Sequence, residues 1–187
     1  RVAAPDQDQP ALGEVLDVGT GRGQLALLLV ELGLATRFTG LDWDERKIVV
    51  LCRAAGDAGE ARTVDLTSAK LSPADTVLLI DVLHYSPREA QRSLLERAAA
   101  AIRPGGRLLV RELDPFFGLS SRVAIACERL ATRIAMNRGS TLEFTEPALL
   151  MKQLDSLGLA TKLLPHPDGK TSPNYLLVAL RPETPRI

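Results

Sequence analysis

The sequence predicts a doubly wound α/β domain, with seven strands in a mostly parallel sheet, helices between them and an antiparallel pair of strands at the end. Short buried-looking apolar runs alternate with longer amphipathic ones, the pattern of strands alternating with helices. A glycine-rich turn, "VLDVGTGRG" (residues 15–23), stands directly behind the first run, where an open parallel sheet places its ligand site. The 187 residues suffice for one domain core without disulfides or metals, so 1–187 reads as a single domain.

Strands are expected at Glu14 to Val18, Arg37 to Leu41, Ala61 to Val64, Thr76 to Ile80, Arg107 to Arg111, Ala160 to Leu164 and Tyr175 to Leu180. The first helix, Gln24 to Leu32, is almost wholly apolar; it is expected to be buried and to stop at Gly33. After the fourth strand, "SPRE" reads as a capping box, with Ser86 as cap, Pro87 in the first turn and Glu89 reaching back to the Ser86 amide. That helix should run to about Ile102, before "RPGG". The stretch 113–140 adds helix that the alternating pattern does not require, and is expected to be a lid. A further helix opened by "TEP" and closed by Gly158 leads into the terminal pair, joined by the loop "PHPDGKTSPN".

Lys plus Arg number 23 and Asp plus Glu 23, a formal net charge of +0, with no run of like charge, so nucleic acid and acidic membrane surfaces are disfavoured partners. No apolar run reaches the ~20 residues that cross a bilayer, and a cytoplasmic location is expected. Cys52 and Cys127 lie among apolar neighbours and read as small buried hydrophobes. With two histidines, His84 and His166, and no metal spacing, no protein-built metal site is expected.

The chemistry concentrates at the ends of the first four strands. Gly19, Gly21 and Gly23 allow tight turns and close ligand approach, and the helix behind them offers unpaired amides. The spacing is GxGxG, with Gln24 where the dinucleotide fingerprint GxGxxG puts its third glycine. Asp17 would face a pyrophosphate with like charge, so the turn favours a cationic or neutral ligand.

These residues resemble the class I S-adenosylmethionine-dependent methyltransferases, a Rossmann-like family whose first motif is an apolar pair, an acid and GxGxG. The resemblance covers nearly the whole chain from about Leu12 onward. It implies S-adenosylmethionine as cofactor, with Gly19, Thr20, Gly21 and Gly23 near its amino-acid part and Asp17 near its ammonium. Asp42 in "GLDWD" stands where the family's ribose-binding acid stands, and Asp44 is the more natural helix cap. Trp43 would pack on the adenine face or shield the core edge. "VDLTS" resembles the adenine turn, Asp65 accepting from the exocyclic amine and the Leu66 amide donating to the ring; alternatively Asp65 only forms the turn.

"DTVLLIDVLHYSP" resembles the fourth motif of the small-molecule branch. The resemblance places backbone around Asp81 at the methionyl end and turns His84 and Tyr85 toward the acceptor. His84 is either a general base or an orienting, packing histidine, two readings left open. Glu112 and Asp114, which the resemblance puts near the acceptor side at the end of the fifth strand, read first as solvated or paired with arginine and otherwise as orienting a substrate. The implied reaction is O- or N-methylation of a small-molecule acceptor. The alternatives are a non-catalytic methyltransferase-like subunit and, against the glycine spacing, a nicotinamide oxidoreductase. Only "RVAAPDQDQPALG" precedes the first strand, so either the chain is trimmed or the cover over the site comes from the extra helix and a partner. The apolar face of Leu119 to Met136, with Phe116 and Phe117, reads as an acceptor-pocket wall or a homodimer surface.

Overall fold

The computed structural model describes residues 12–133, 142–164 and 173–183. Strands β1 (Glu14–Val18), β2 (Arg37–Asp42), β3 (Gly59–Thr63), β4 (Ala74–Ile80), β5 (Ile102–Leu113), β6 (Ala160–Leu164) and β7 (Asn174–Leu180) form one sheet. The order is β3-β2-β1-β4-β5-β7-β6; β7 runs antiparallel to β5 and β6, and the other pairs are parallel. The connections leave β1 toward β2 on one side and reach β4 on the other, which opens a crevice at the C-terminal ends of β1 and β4.

Helices α1 (Gln24–Glu31) and α2 (Glu45–Ala55) cover one face, and α3 (Arg88–Ala101) and α5 (Pro147–Ser156) the other. The period of two along β1 divides its side chains between them: Leu16 and Val18 join the core with α3 and α5, while Val15 packs with Ala26 and Leu51 under α1 and α2. Asp17 shares the face of Val15, which aims its carboxylate at the glycine turn on that side. α4 (Leu119–Arg133) follows β5.

Several expectations change. α1 is not buried: Ala26 alone is, and Leu25, Leu28 and Leu32 are exposed, because a helix on an open sheet has a single inner stripe. Both cysteines are exposed. On α2 the inward positions are Ile48, Leu51 and Ala55, which turns Cys52 outward. The capping box does not form. The Ser86 amide already donates to Leu83 O, and α3 opens one residue later, with Pro87 as an N-cap that makes no side-chain bond. Gln91 instead donates to Ser86 O (2.8 Å) and Glu143 O (2.7 Å), tying the helix start to residues 142–146. Asp44 caps α2 as expected, accepting the Arg46 amide at 3.0 Å. β5 begins at Ile102, directly after α3, with a register shift opposite Ala74 and Thr76. The far part of the 113–140 lid stretch, and His166, lie outside the described residues.

Candidate functional site

The turn after β1 is anchored to the end of β2. The Gly19 and Thr20 amides donate to Leu41 O at 2.7 and 3.0 Å. Gly19 (φ 82) takes a left-handed conformation where a methyl group would overlap the Val82 side chain, and Gly23 (φ 72) would meet Leu51 in the same way. Gly21 faces open space. Gly23 offers α1 no side-chain cap, which leaves the first-turn amides to a ligand or water.

Two buried acids bracket this turn. Asp42 is 3% exposed; its Oδ2 accepts the Gly21 amide and its Oδ1 the Asp44 amide, both at 2.8 Å. It therefore shapes the loop between β1 and α1. Asp17 is 4% exposed and accepts the Thr20 hydroxyl at 2.7 Å. Burial pushes its pKa up to about 6; the Thr20 hydroxyl opposes this and the nearby Asp42 charge adds to it. A buried acid of this kind is stabilised by a cation, and an ammonium placed here would supply one.

The ionised Asp17 consequently weakens the ligand-free fold. Its folded pKa lies above the ordinary 3.8, so its favourable contribution is present below pH 3.8 and is lost as pH rises through about 6. Asp17→Asn, which keeps an acceptor for Thr20, is expected to stabilise the free protein by up to about 3 kcal/mol at pH 8 and by almost nothing at pH 3.8. Melting temperatures at the two pH values check this; an equal shift at both would contradict it.

Trp43 is half-buried, with the Lys47 ammonium 5.7 Å from its ring centre. Asp65 is exposed and closes its own turn, accepting the Thr67 amide (2.9 Å) and hydroxyl (2.7 Å) and the Ser68 hydroxyl (3.2 Å). The Val64 amide donates to Asp42 O at 2.9 Å, which holds Asp65 and Leu66 beside the end of β2. Asp81 adopts φ 52, unusual for a residue with a Cβ; its amide donates to Arg111 O and its carboxylate pairs with the Arg111 guanidinium.

The ends of β4 and β5 carry a pair that sequence reasoning missed. Glu112 is 3% exposed and is not solvated or paired with arginine. Its Oε1 accepts the Val82 and Leu83 amides (3.0 and 2.7 Å), and its Oε2 lies 2.6 Å from His84 Nδ1. One signal could have found it. Leu108, Val110 and Glu112 occupy alternate positions on one face of β5, so the acid continues a core-facing stripe. His84, 5% exposed, stacks on Phe144 at 4.8 Å, and its Nε2 is buried with no hydrogen-bond partner among the described residues. Burial pushes the His84 pKa down, but the Glu112 hydrogen bond and the Glu112, Glu128 and Asp81 charges outweigh it and hold the imidazolium above its ordinary range.

α4 reaches this side through Glu128, which accepts the Tyr85 hydroxyl. Its stripe Leu119, Val123 and Leu130, with Phe116, is exposed and turned outward, whereas Ser121 is buried against Asp114 O. Asp114 itself accepts the Phe116 amide. Among the described residues no three or more His, Cys, Asp or Glu gather as a metal site, and no helix is long and apolar enough to cross a membrane.

Residues 15–106 match the family described as a methyltransferase domain. No curated protein matches the chain. Among solved structures, an O-methyltransferase family protein from Burkholderia thailandensis is 22% identical with a TM-score of 0.70, covering 91% of this chain and 51% of that one. This chain thus spans about half the length of that protein. The magnesium protoporphyrin IX methyltransferase of Synechocystis PCC 6803, with bound SAH, is 22% identical with a TM-score of 0.66, covering 92% of this chain and 75% of that one. The cyclase SpnF is 13% identical with a TM-score of 0.70, covering 95% of this chain and 77% of that one. At these identities the likeness is one of fold, and the cyclase illustrates that the fold alone does not set the chemistry. The family match over residues 15–106, the sheet order and the glycine turn between two buried acids together support a class I S-adenosylmethionine-dependent methyltransferase domain.

Proposed function

We propose that the chain methylates a hydroxyl group on a small-molecule acceptor, with His84 as general base and Glu112 as the residue that orients it. The observation behind this reading is the 2.6 Å contact between Glu112 and His84 Nδ1. A carboxylate at Nδ1 favours the tautomer that keeps its proton there and leaves the Nε2 lone pair for an acceptor proton.

S-adenosylmethionine, the family's cofactor, supplies the methyl group on a sulfonium whose displacement requires an in-line nucleophile. The donor set fits it: Asp17 toward the cationic amino-acid end, Asp42 toward the ribose hydroxyls, and Trp43, Asp65 and Leu66 toward the base. Gly19, Thr20, Gly21 and Gly23 let the backbone approach, with Asp81 at the methionyl end. Much of the rate comes from positioning, and the base adds to it when the attacking group is a hydroxyl. Leu113 through α4 is the acceptor-side cover, latched by the Tyr85–Glu128 bond. Phe144 covers the His84 ring, so acceptor entry displaces residues 142–146.

A pH–rate profile tests this reading on whichever member of a panel of phenols and catechols is methylated. The expected kcat/KM climbs with pH as His84 loses its proton, with an apparent pKa above 6.5. Glu112→Gln removes the charge that raises this pKa and moves the climb to lower pH. A profile flat across His84 titration, or unmoved by Glu112→Gln, would count against the base.

A further inference from the structure

Arg97 lies on α3, away from the glycine turn, yet its guanidinium is spent on a single loop. Nη1 donates to Ala69 O at 2.6 Å, and Nη2 to Leu66 O at 2.7 Å and Thr67 O at 3.2 Å. The donors of the same turn go the other way. The Thr67 amide bonds the Asp65 carboxylate, and the Ser68 and Ala69 amides bond Asp65 O at 3.2 and 2.8 Å. Thus Asp65 collects the amides of residues 67–69 while Arg97 collects carbonyls at 66, 67 and 69. One amide of this turn is left over: among the described residues Leu66 N–H has no acceptor. The Leu66 side chain packs on the core, and the Val64 amide ties the entry of the turn to Asp42 O.

We infer that Arg97 is a positioning residue for adenine recognition: by holding the carbonyls of the 66–69 turn it fixes the free Leu66 amide where it donates to the adenine ring. The inference rests on the adenine reading of this turn and adds to it the residue that makes the turn selective. A planar fork with donors on several nitrogens can hold three carbonyls at once, which a lysine ammonium cannot reproduce in the same geometry. The chemistry read by one amide is sharp. Adenine N1 is an acceptor, whereas hypoxanthine N1 carries a hydrogen that would oppose the Leu66 N–H.

The test compares S-adenosylhomocysteine with S-inosylhomocysteine by calorimetry on the whole chain, for wild type, Arg97→Met and Arg97→Lys. Wild type is expected to prefer the adenine ligand by about tenfold or more, as one well-placed hydrogen bond against one opposed pair would give. In Arg97→Met the preference collapses toward equality; Arg97→Lys falls between. A merely structural arginine would weaken both ligands alike and leave their ratio intact, which overturns the inference. A wild type that binds both ligands equally overturns the adenine reading itself, and the inference with it. Should Arg97→Met not fold, Arg97→Lys decides: a ratio equal to that of wild type overturns the inference.

Discussion

His84→Ala is expected to lower kcat by about 10²-fold or more while leaving cofactor affinity within about twofold, the range in which a positioned general base contributes. The His84 ring lies at the β4 end with Glu112, not at the glycine turn, so its loss should spare the cofactor side. The substitution also leaves the Glu112 carboxylate buried, though still bonded to the Val82 and Leu83 amides. Some loss of melting temperature is therefore expected alongside the kinetic loss. His84→Gln separates the two: it refills the space and can donate to Glu112, but cannot take up an acceptor proton. Steady-state kinetics with the methylated panel member checks both variants. A His84→Gln enzyme with undiminished kcat would make His84 a packing residue.

The same pair links activity and stability with opposite signs. Because the folded pKa of His84 is raised, the stability it contributes is fully present below 6.5 and is lost as pH rises through the folded pKa. The neutral base grows over that same interval. Activity should therefore climb where this part of the folding free energy declines, and the separation between the two curves measures how far Glu112 holds the proton.

Asp42→Ala should weaken cofactor binding by about 100-fold, as the loss of two charge-assisted ribose bonds would give. The structure adds a second reason for a large effect. The two carboxylate oxygens hold the Gly21 and Asp44 amides, so alanine also removes the Gly21 tie of the glycine turn to β2, leaving those of Gly19 and Thr20 to Leu41 O. Asp42→Asn retains one acceptor and should fall between, at about tenfold. Calorimetric titration of the three proteins checks the order. Equal affinities would remove Asp42 from the site.

Much of this architecture was legible because it follows from local periodicity. β1 and β6 begin and end at the residues expected from their short apolar runs, and Gly33 closes the region behind α1 with a positive φ. The glycine turn was legible for the same reason, since its spacing is a contiguous string. What stayed hidden depends on partners far apart in the chain. Glu112 and His84 are 28 residues apart, and a strand-end acid discloses its partner only once β4 and β5 pair. Arg97 is 28 residues from Ala69 and 31 from Leu66, and on α3 it reads as an ordinary surface arginine. The capping box failed because the Ser86 amide was claimed by Leu83 O, a competition between two local motifs that the string "SPRE" does not reveal.

Titration of the wild-type chain with S-adenosylhomocysteine, alongside NAD, tests directly whether the glycine turn with Asp17 and Asp42 holds the adenosyl cofactor. Saturable one-to-one binding of the adenosyl ligand is expected at about micromolar concentration, with no heat from the dinucleotide. Binding of NAD in its place, or no binding of S-adenosylhomocysteine below about millimolar, would contradict it.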